Sequence, residues 1–513
     1  MSGMITRTPT PSWVMIAWLL PLSFAHPAHG QTTQALDKTG RSAAFLLQSC
    51  TTIHRSGLHH RLLAAIRQLR DPEIKPLFHR LVQSPHPALV VHGLLGLAEC
   101  SPNQKLDLAQ VAAIGDPVIQ AQVISAAMDS ELMTHEQAKQ LIRWPNIDPA
   151  AKLVVAAQLV QDQQFSDFEL LENAVRSDNA ARKGLAAMLM LQMGRSQAMP
   201  VLDQLAVDPP NATGHDHVRL MLLETAMRYE LDQTAPWAAR LITERGVSRT
   251  LRLLAMRVAM RFGVPNAIGA WQDQFASTTD QAQRTRLALL ALGLSPWLDP
   301  GLFMQLTADP DPLVQRIGQT GHAIASNRQI HTAVIRLIEM HHVIANRWAL
   351  KYAQQHAADH DAQVILLGLI MAFENHPPRQ KAQALLEVVL ATQELYDRYP
   401  QVATSLLQPI LADPRADSLL TQGILQGLLR CAKPNPDRVV LDLDAIGDPQ
   451  AHRLAILLLA KHGRGLSPQQ NEELKMLVRG GGGLGQSLRL QAAWVYLKQT
   501  NQSHLALAST TGP

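Results

Sequence analysis

Two histidines four residues apart, His356 and His360, enclose Asp359 in the string "HAADH". On one helix they would share a face, and the spacing is close to H-x-x-E-H, where two imidazoles hold zinc and a carboxylate activates the metal-bound water. Here Asp replaces Glu, so the carboxylate reaches less far. His341 and His342 lie upstream, and no third ligand stands out. The pair therefore reads as polar side chains at a helix end rather than a metal centre. "RGGGGLG", residues 479–485, invites a different chemistry. A phosphate-binding loop needs a strand before it and a Lys–Ser/Thr pair after it. "NEELKMLV" before it is helical in pattern, and Gln486–Ser487 follows it, so the run reads as a slack turn between helices. Met188, Met190 and Met193 sit among Leu and Ala at helical spacing, as core filling rather than a thioether copper site. No G-x-S-x-G elbow occurs. The expectation is a protein without catalytic residues, cofactor or metal.

Three cysteines, Cys50, Cys100 and Cys431, have neither zinc-knuckle nor redox spacing. Placed on two antiparallel helices, Cys50 and Cys100 fall at opposite ends, about 15 Å of helix apart and too far for a bridge; a shift of register keeps the pairing open. The segment "HRSGLHHRLLAAIRQLRDPEIKPLFHR" gathers Arg55, Arg61, Arg67 and Arg70 against Asp71 and Glu73. It reads as a solvated end of the molecule, with an anion-binding patch as the alternative.

The chain opens with Arg7 as its one charge before Asp37. An apolar run from Trp13 to Ala25 follows, then Ala28 and Gly30. That is the layout of an export signal over residues 1–30, too short and too interrupted by Pro21 for a spanning helix. The expected mature chain is periplasmic or secreted, with no transmembrane segment. The formal charge of +4 falls by one when Arg7 is removed, near neutral for this length. That balance, together with export, speaks against a nucleic-acid partner. Hydrophobic residues at 47% are ample for a core, and aromatics at only 4%, with Ala and Leu dominant, favour helices.

What must position these residues is a repeat. "HPALVVHGLLGLAEC", "DPVIQAQVISAAMD", "DPAAKLVVAAQLVQ" and "DNAARKGLAAMLMLQ" align on their apolar faces. His92, Gln122, Lys152 and Arg182 then step by 30 residues, followed four residues on by Gly96, Ala126, Ala156 and Ala186. The register continues through Arg219, Arg252, Arg286, Arg316 and Arg347, and returns at Arg453 and Arg489. Companion helices such as "EIKPLFHRLVQS" lie between, so each unit is two antiparallel helices, A then B. Asp116, Asp148, Asp178, Asp311 and Asp448 stand just before B helices. There they would cap free N–H groups, while the basic residue a turn later pairs with the acid of the adjacent repeat as a structural ladder.

"DPEIKPLFHRLVQSPHPALVVHGLLGLAEC", residues 71–100, resembles a HEAT repeat, and the chain is similar to bacterial HEAT-like proteins with phycobilisome-lyase-type repeats. The resemblance implies an all-α, right-handed α-solenoid of stacked antiparallel pairs, roughly thirteen at this length. The expected divisions are an N-terminal cap at 31–57, repeats at 58–355, irregular repeats at 356–415, further repeats at 416–500 and a flexible tail at 501–513. The expected function is non-catalytic binding of a protein partner on the curved helical surface, as a monomer or within an envelope complex. The alternatives are an enzyme or enzyme accessory, with a lyase-type or metal-dependent activity, and a structural subunit of an envelope complex.

Overall fold

The computed structural model describes residues 36–52, 57–101, 105–130, 132–207, 213–431, 443, 446–480 and 485–509. The expected export signal at 1–30 lies outside them. The fold is all-α, with twenty-eight α-helices and no strand among the described residues. In chain order the helices begin with α1 (Lys38–Thr52), α2 (Gly57–Arg67), α3 (Lys75–Val82), α4 (Pro87–Glu99), α5 (Leu108–Ala112), α6 (Pro117–Asp129), α7 (His135–Arg143) and α8 (Pro149–Gln161). Next are α9 (Phe168–Val175), α10 (Ala180–Gln192), α11 (Met199–Val207), α12 (Thr213–Arg228), α13 (Ala235–Thr243), α14 (Arg249–Arg261), α15 (Pro265–Ser277), α16 (Gln281–Leu292), α17 (Pro300–Thr307) and α18 (Pro312–Ala325). The remainder are α19 (Ile330–Ile338), α20 (Val343–Gln355), α21 (Asp359–Met371), α22 (Pro378–Arg398), α23 (Pro400–Ala412), α24 (Ser418–Arg430), α25 (Pro449–Lys461), α26 (Pro468–Arg479), α27 (Gln486–Gln499) and α28 (Ser503–Ser509).

Local chemistry starts four B helices in the same way. Asp116, Asp148, Asp311 and Asp448 are extended N-cap residues that accept hydrogen bonds from N–H groups of the first turn, and each is followed by Pro at the first helical position. Proline lacks the N–H that would be orphaned there and already holds the helical φ, so Asp-Pro is a double start signal. Asp178 departs from the pattern, because Asn179 is the cap of α10 and accepts from the Arg182 N–H.

The chain forms two compact units. Residues 108–340 hold the pairs α5/α6 to α17/α18, followed by α19. Their B helices lie side by side: α6 on α8, α8 on α10, α10 on α12, α12 on α14, and α16 on α18. Small residues set the approach. A Cβ added to Gly321 of α18 would enter the ring of Phe303 on α17, so the two helices touch through the missing side chain.

Residues 1–107 and 341–513 make up the other unit. Here α24 packs on α22 and on α25, and α27 packs on α25 and α26. The stack does not stop at α27, because α1 and α2 from the opposite end of the chain pack on it, and α4 continues beyond α2. Every residue of α27 from Leu490 to Leu497 is buried, including Trp494 and Tyr496. A helix buried all round needs neighbours on all sides, and the N-terminal helices supply the missing side. The segment read as an N-terminal cap holds α1, an internal member of the stack. Ser503–Ser509, expected within a flexible tail, is helix α28, packed on α1 and α27.

The glycine run falls between α26 and α27. Gly480 closes α26 in the left-handed region (φ +94°) and Gly485 is the N-cap of α27, while residues 481–484 lie outside the described residues. Residues 356–415 contain α21, α22 and α23. With twenty-one residues, α22 is much longer than its neighbours, and the thirty-residue register lapses there.

Candidate functional site

The histidines that opened the sequence reading do not share a helix. His356 is the C-cap of α20, and His360 lies in the first turn of α21, so the chain breaks between them. The Asp359 carboxylate accepts hydrogen bonds from the Tyr399 hydroxyl (2.6 Å) and the Arg398 guanidinium (3.4 Å). Among the described residues no group of three or more His, Cys, Asp or Glu is placed to hold a metal ion. Cys50, Cys100 and Cys431 are buried, unbridged thiols. Burial, opposed weakly by the Ser49 hydroxyl, pushes the Cys50 thiol up to about 12. Met188 and Met190 are buried in the core of α10.

Two side chains of the basic N-terminal cluster, Arg67 and Arg70, are described. Arg67 forms a two-point ion pair with Glu99, Nε to Oε2 at 2.8 Å and Nη2 to Oε1 at 2.5 Å. That pair satisfies its charge inside the molecule. Arg70 is exposed, with φ of +48°, in the turn after α2. Arg55 and the side chain of Arg61 lie outside the described residues.

The ladder residues divide between two geometries. Arg182 does reach across repeats, Nη2 to Asp148 Oδ1 at 3.2 Å. Three others turn back to the A helix of their own pair and cap its free C-terminal carbonyls. Arg219, 2% exposed, donates to Leu205 O (2.5 Å) and Ala206 O (2.8 Å) at the end of α11. Arg252 donates to Glu244 O (3.3 Å), just beyond α13, and Arg489 to Val478 O (3.1 Å) in the last turn of α26. A helix C-terminus carries unsatisfied carbonyls and a partial negative charge, so a cation there serves both.

Arg219 is the seventh residue of α12, but in five other B helices the capping residue is the fourth: Arg252, Arg284 and Arg489 and, with an amide in place of a cation, Gln120 and Gln315. Arg284 donates to Phe275 O (3.1 Å) and Thr278 O (3.0 Å) and pairs with the buried Asp309; Gln120 donates to Val111 O (3.2 Å) and Gln315 to Asp309 O (2.6 Å). The thirty-residue register pointed instead to Arg286 and Arg316. Arg286 is exposed, and Arg316 donates to Gln319 on its own helix. Lys152 occupies the fourth position of α8 and is half-buried. Arg347 pairs with the buried Glu387 (2.9 Å), and Arg453 with Glu473 (3.0 Å). Sequence reasoning missed Arg284, Gln120 and Gln315; counting four residues into each capped helix finds all three.

A second polar constellation joins the two ends of the chain. Asp71 caps the turn before α3 by accepting from the Glu73 N–H (3.1 Å). Its other oxygen accepts from Trp494 Nε1 (2.9 Å) and Lys498 Nζ (2.8 Å) of α27. Asp37, at the start of α1, accepts from the Tyr496 hydroxyl (2.5 Å). Arg479 donates to the Thr39 hydroxyl (2.6 Å), and Arg80 to Leu507 O (2.7 Å). Burial alone would lower the Lys498 ammonium; Asp71 and Glu73 outweigh it and hold its pKa above the ordinary value.

Exposed apolar side chains are few. Trp297, after α16, is 39% exposed and lies under the Arg261 guanidinium, 3.7 Å from its ring centroid. Met304 of α17 is 55% exposed. No helix of the described residues is long and apolar enough to cross a membrane. No protein-family model matches the chain, and a search of curated proteins gives no match.

Proposed function

We propose that this chain is an exported, non-catalytic HEAT-like repeat protein that holds a protein partner through outward-facing side chains of residues 108–340. The observation that carries the reading is Trp297 held under Arg261. Tryptophan and arginine dominate binding hot spots because each gives a large contact at little entropic cost, and a stacked guanidinium fixes the indole before any partner arrives. Met304, seven residues on in α17, is a second exposed apolar side chain, and an adaptable one. The conserved geometry of the caps supports the same reading: Arg219, Arg252 and Arg284 bind helix ends, which suits rigid scaffolding. Export rests on the sequence of residues 1–30.

The experiment is a photo-crosslinking amino acid at Met304 in the full chain, expressed in its own host and irradiated in intact cells. One discrete adduct, reduced in Trp297→Ala and Arg261→Ala chains that retain their helical content, supports the proposal. A smear of adducts indifferent to both substitutions overturns the partner. Recovery of the chain in the cytoplasmic fraction with residues 1–30 attached overturns export.

A further inference from the structure

We infer that the seam between the chain's two ends is an opening device: α1 and α28 separate from the stack as one step, while the rest of their unit stays folded. Elsewhere in this unit neighbouring helices follow one another along the chain, α21 into α22 through residues 372–377 and α26 into α27 through residues 480–485. Across the seam the bonded residues are 423 positions apart for Asp71 and Trp494, and 459 for Asp37 and Tyr496. No short turn tethers α1 to α26 or α27, so nothing in the local chain holds it there once its side-chain contacts part.

Helical-repeat arrays fray from their ends, because a terminal repeat has one neighbour instead of two. Here the ends meet, so each supplies the other's second neighbour, and losing one uncovers the other. The contacts are arranged for that coupling. On α1 the buried residues Thr39, Gly40, Ala43, Leu47 and Cys50 form one face. Thr39 accepts from Arg479, and a Cβ on Gly40 would strike the Gln502 amide that precedes α28. Around this face α1 packs on α26, α27 and α28. The polar ties on the N-terminal side are the Asp37 and Asp71 carboxylates, the Thr39 hydroxyl and the Arg80 guanidinium, which donates to Leu507 O of α28. The carboxylates and the hydroxyl meet water once α1 parts, and release of α28 frees Arg80 from the Leu507 carbonyl, so the two helices share the cost of opening.

Cys50 reports the motion, since it is fully buried on the seam face, whereas Cys431, equally buried beside α24, lies away from it. The test is thiol labelling of the full chain under native conditions with two single-cysteine proteins, one keeping Cys50 and one keeping Cys431, the other positions being Ala. Cys50 is expected to react faster than Cys431. Tyr496→Phe, which removes the hydroxyl donated to Asp37 but keeps the ring, and Arg479→Met, which removes the donor to Thr39, are each expected to speed Cys50 about tenfold while leaving Cys431 unchanged. Equal rates at the two thiols, or equal acceleration of both, would overturn the inference, because the unit would then open only by unfolding as a whole. Hydrogen exchange on the cysteine-intact chain provides the check that needs no alanine replacement. Amides of α1 and α28 are expected to exchange together and ahead of α22 and α24, and exchange of α1 in step with α24 would overturn the device.

Discussion

The junction between α8 and α10 and the seam between α27 and the N-terminal helices meet the same packing demand under different constraints. Between α8 and α10 the chain runs on through α9, so the two B helices are neighbours by connectivity. Their apolar faces do the rest, and the Arg182–Asp148 pair that spans them is partly exposed, with side-chain exposures of 32% and 19%. At the seam connectivity gives nothing. Buried aromatic side chains carry the polar anchors there, with Trp494 and Tyr496 each 1% exposed and hydrogen-bonded to Asp71 and Asp37. A stack that follows the chain tolerates weak polar ties, whereas one that must join distant ends couples its apolar core to its ion pairs.

The sharpest way to break that contrast is to remove a large buried ring from each unit. Trp494→Ala and Trp271→Ala each delete a fully buried indole whose N–H is bonded, to Asp71 and to Leu287 O respectively. Each is expected to cost about 3–5 kcal/mol in urea unfolding. The distribution should differ. Hydrogen exchange in Trp271→Ala should quicken around α15 and α16, close in sequence. In Trp494→Ala it should quicken in α1–α3, over four hundred residues away. Protection of α1–α3 surviving Trp494→Ala would end the argument for a coupled seam.

A smaller effect separates cations that cap helix ends from cations that pair across repeats. Arg219→Met leaves the carbonyls of Leu205 and Ala206 buried without their donors, and a stability loss of about 2–4 kcal/mol is expected. Arg182→Ala removes a partly exposed ion pair and should stay within about 1 kcal/mol. Chemical denaturation of the two proteins decides this. Equal losses would mean that the cross-repeat ladder, not the intra-repeat cap, organises the stack.

The sequence carried the helical pairing well, because Asp-Pro starts and apolar periodicity act within a turn or two. Asp116–Pro117, Asp148–Pro149 and Asp448–Pro449 could be read locally and cap helices in the structure. The polar partners were read less well, because a fixed thirty-residue step counts from the previous repeat, whereas a cap counts from its own helix start. Turns of unequal length therefore moved the working residue from Arg286 to Arg284 and from Arg316 to Gln315. The seam was legible in principle. "LQAAWVYL" is apolar all round, unlike the one-sided pattern of an end repeat, and demanded cover from somewhere. Nothing in a local pattern says that the cover comes from the other end of the chain.

Glycines offer a finer comparison within one unit. A Cβ on Gly427 of α24 would stand 2.6 Å from the Thr392 Cβ and 2.7 Å from Val389 O of α22, whereas one on Gly447 meets nothing within 4 Å. Gly427→Ala should therefore destabilise by about 1–3 kcal/mol through overpacking. Gly447→Ala should be neutral or stabilise by about 0.4–1 kcal/mol by restricting the unfolded chain. Thermal denaturation of the pair measures whether α22 and α24 owe their contact to the missing side chain.

The smallest effect separates the seam from a chain-connected junction by pH. Burial would raise the Asp37 carboxyl, but the Tyr496 hydroxyl, the Gly40 N–H and the nearby Lys475 charge prevail and hold it below its ordinary value of 3.8. Asp417, at the α22–α24 junction, is likewise lowered, because the Lys381 ammonium and two backbone N–H groups outweigh burial. A carboxyl depressed in the folded state contributes stability above its unfolded pKa and loses it as pH falls through the folded one. Both contributions should therefore fade on acidification below about pH 4. They should fade in different places. Hydrogen exchange between about pH 5 and pH 3, corrected for the intrinsic pH dependence, should show α1 losing protection first. In Asp37→Asn, whose amide oxygen still accepts from Tyr496, that acid-dependent loss should flatten, while Asp417→Asn should leave α1 unchanged and alter α24. If Asp417→Asn moved α1 as much as Asp37→Asn did, acid would be acting on the unit as one body, and the seam would have no separate response to protons.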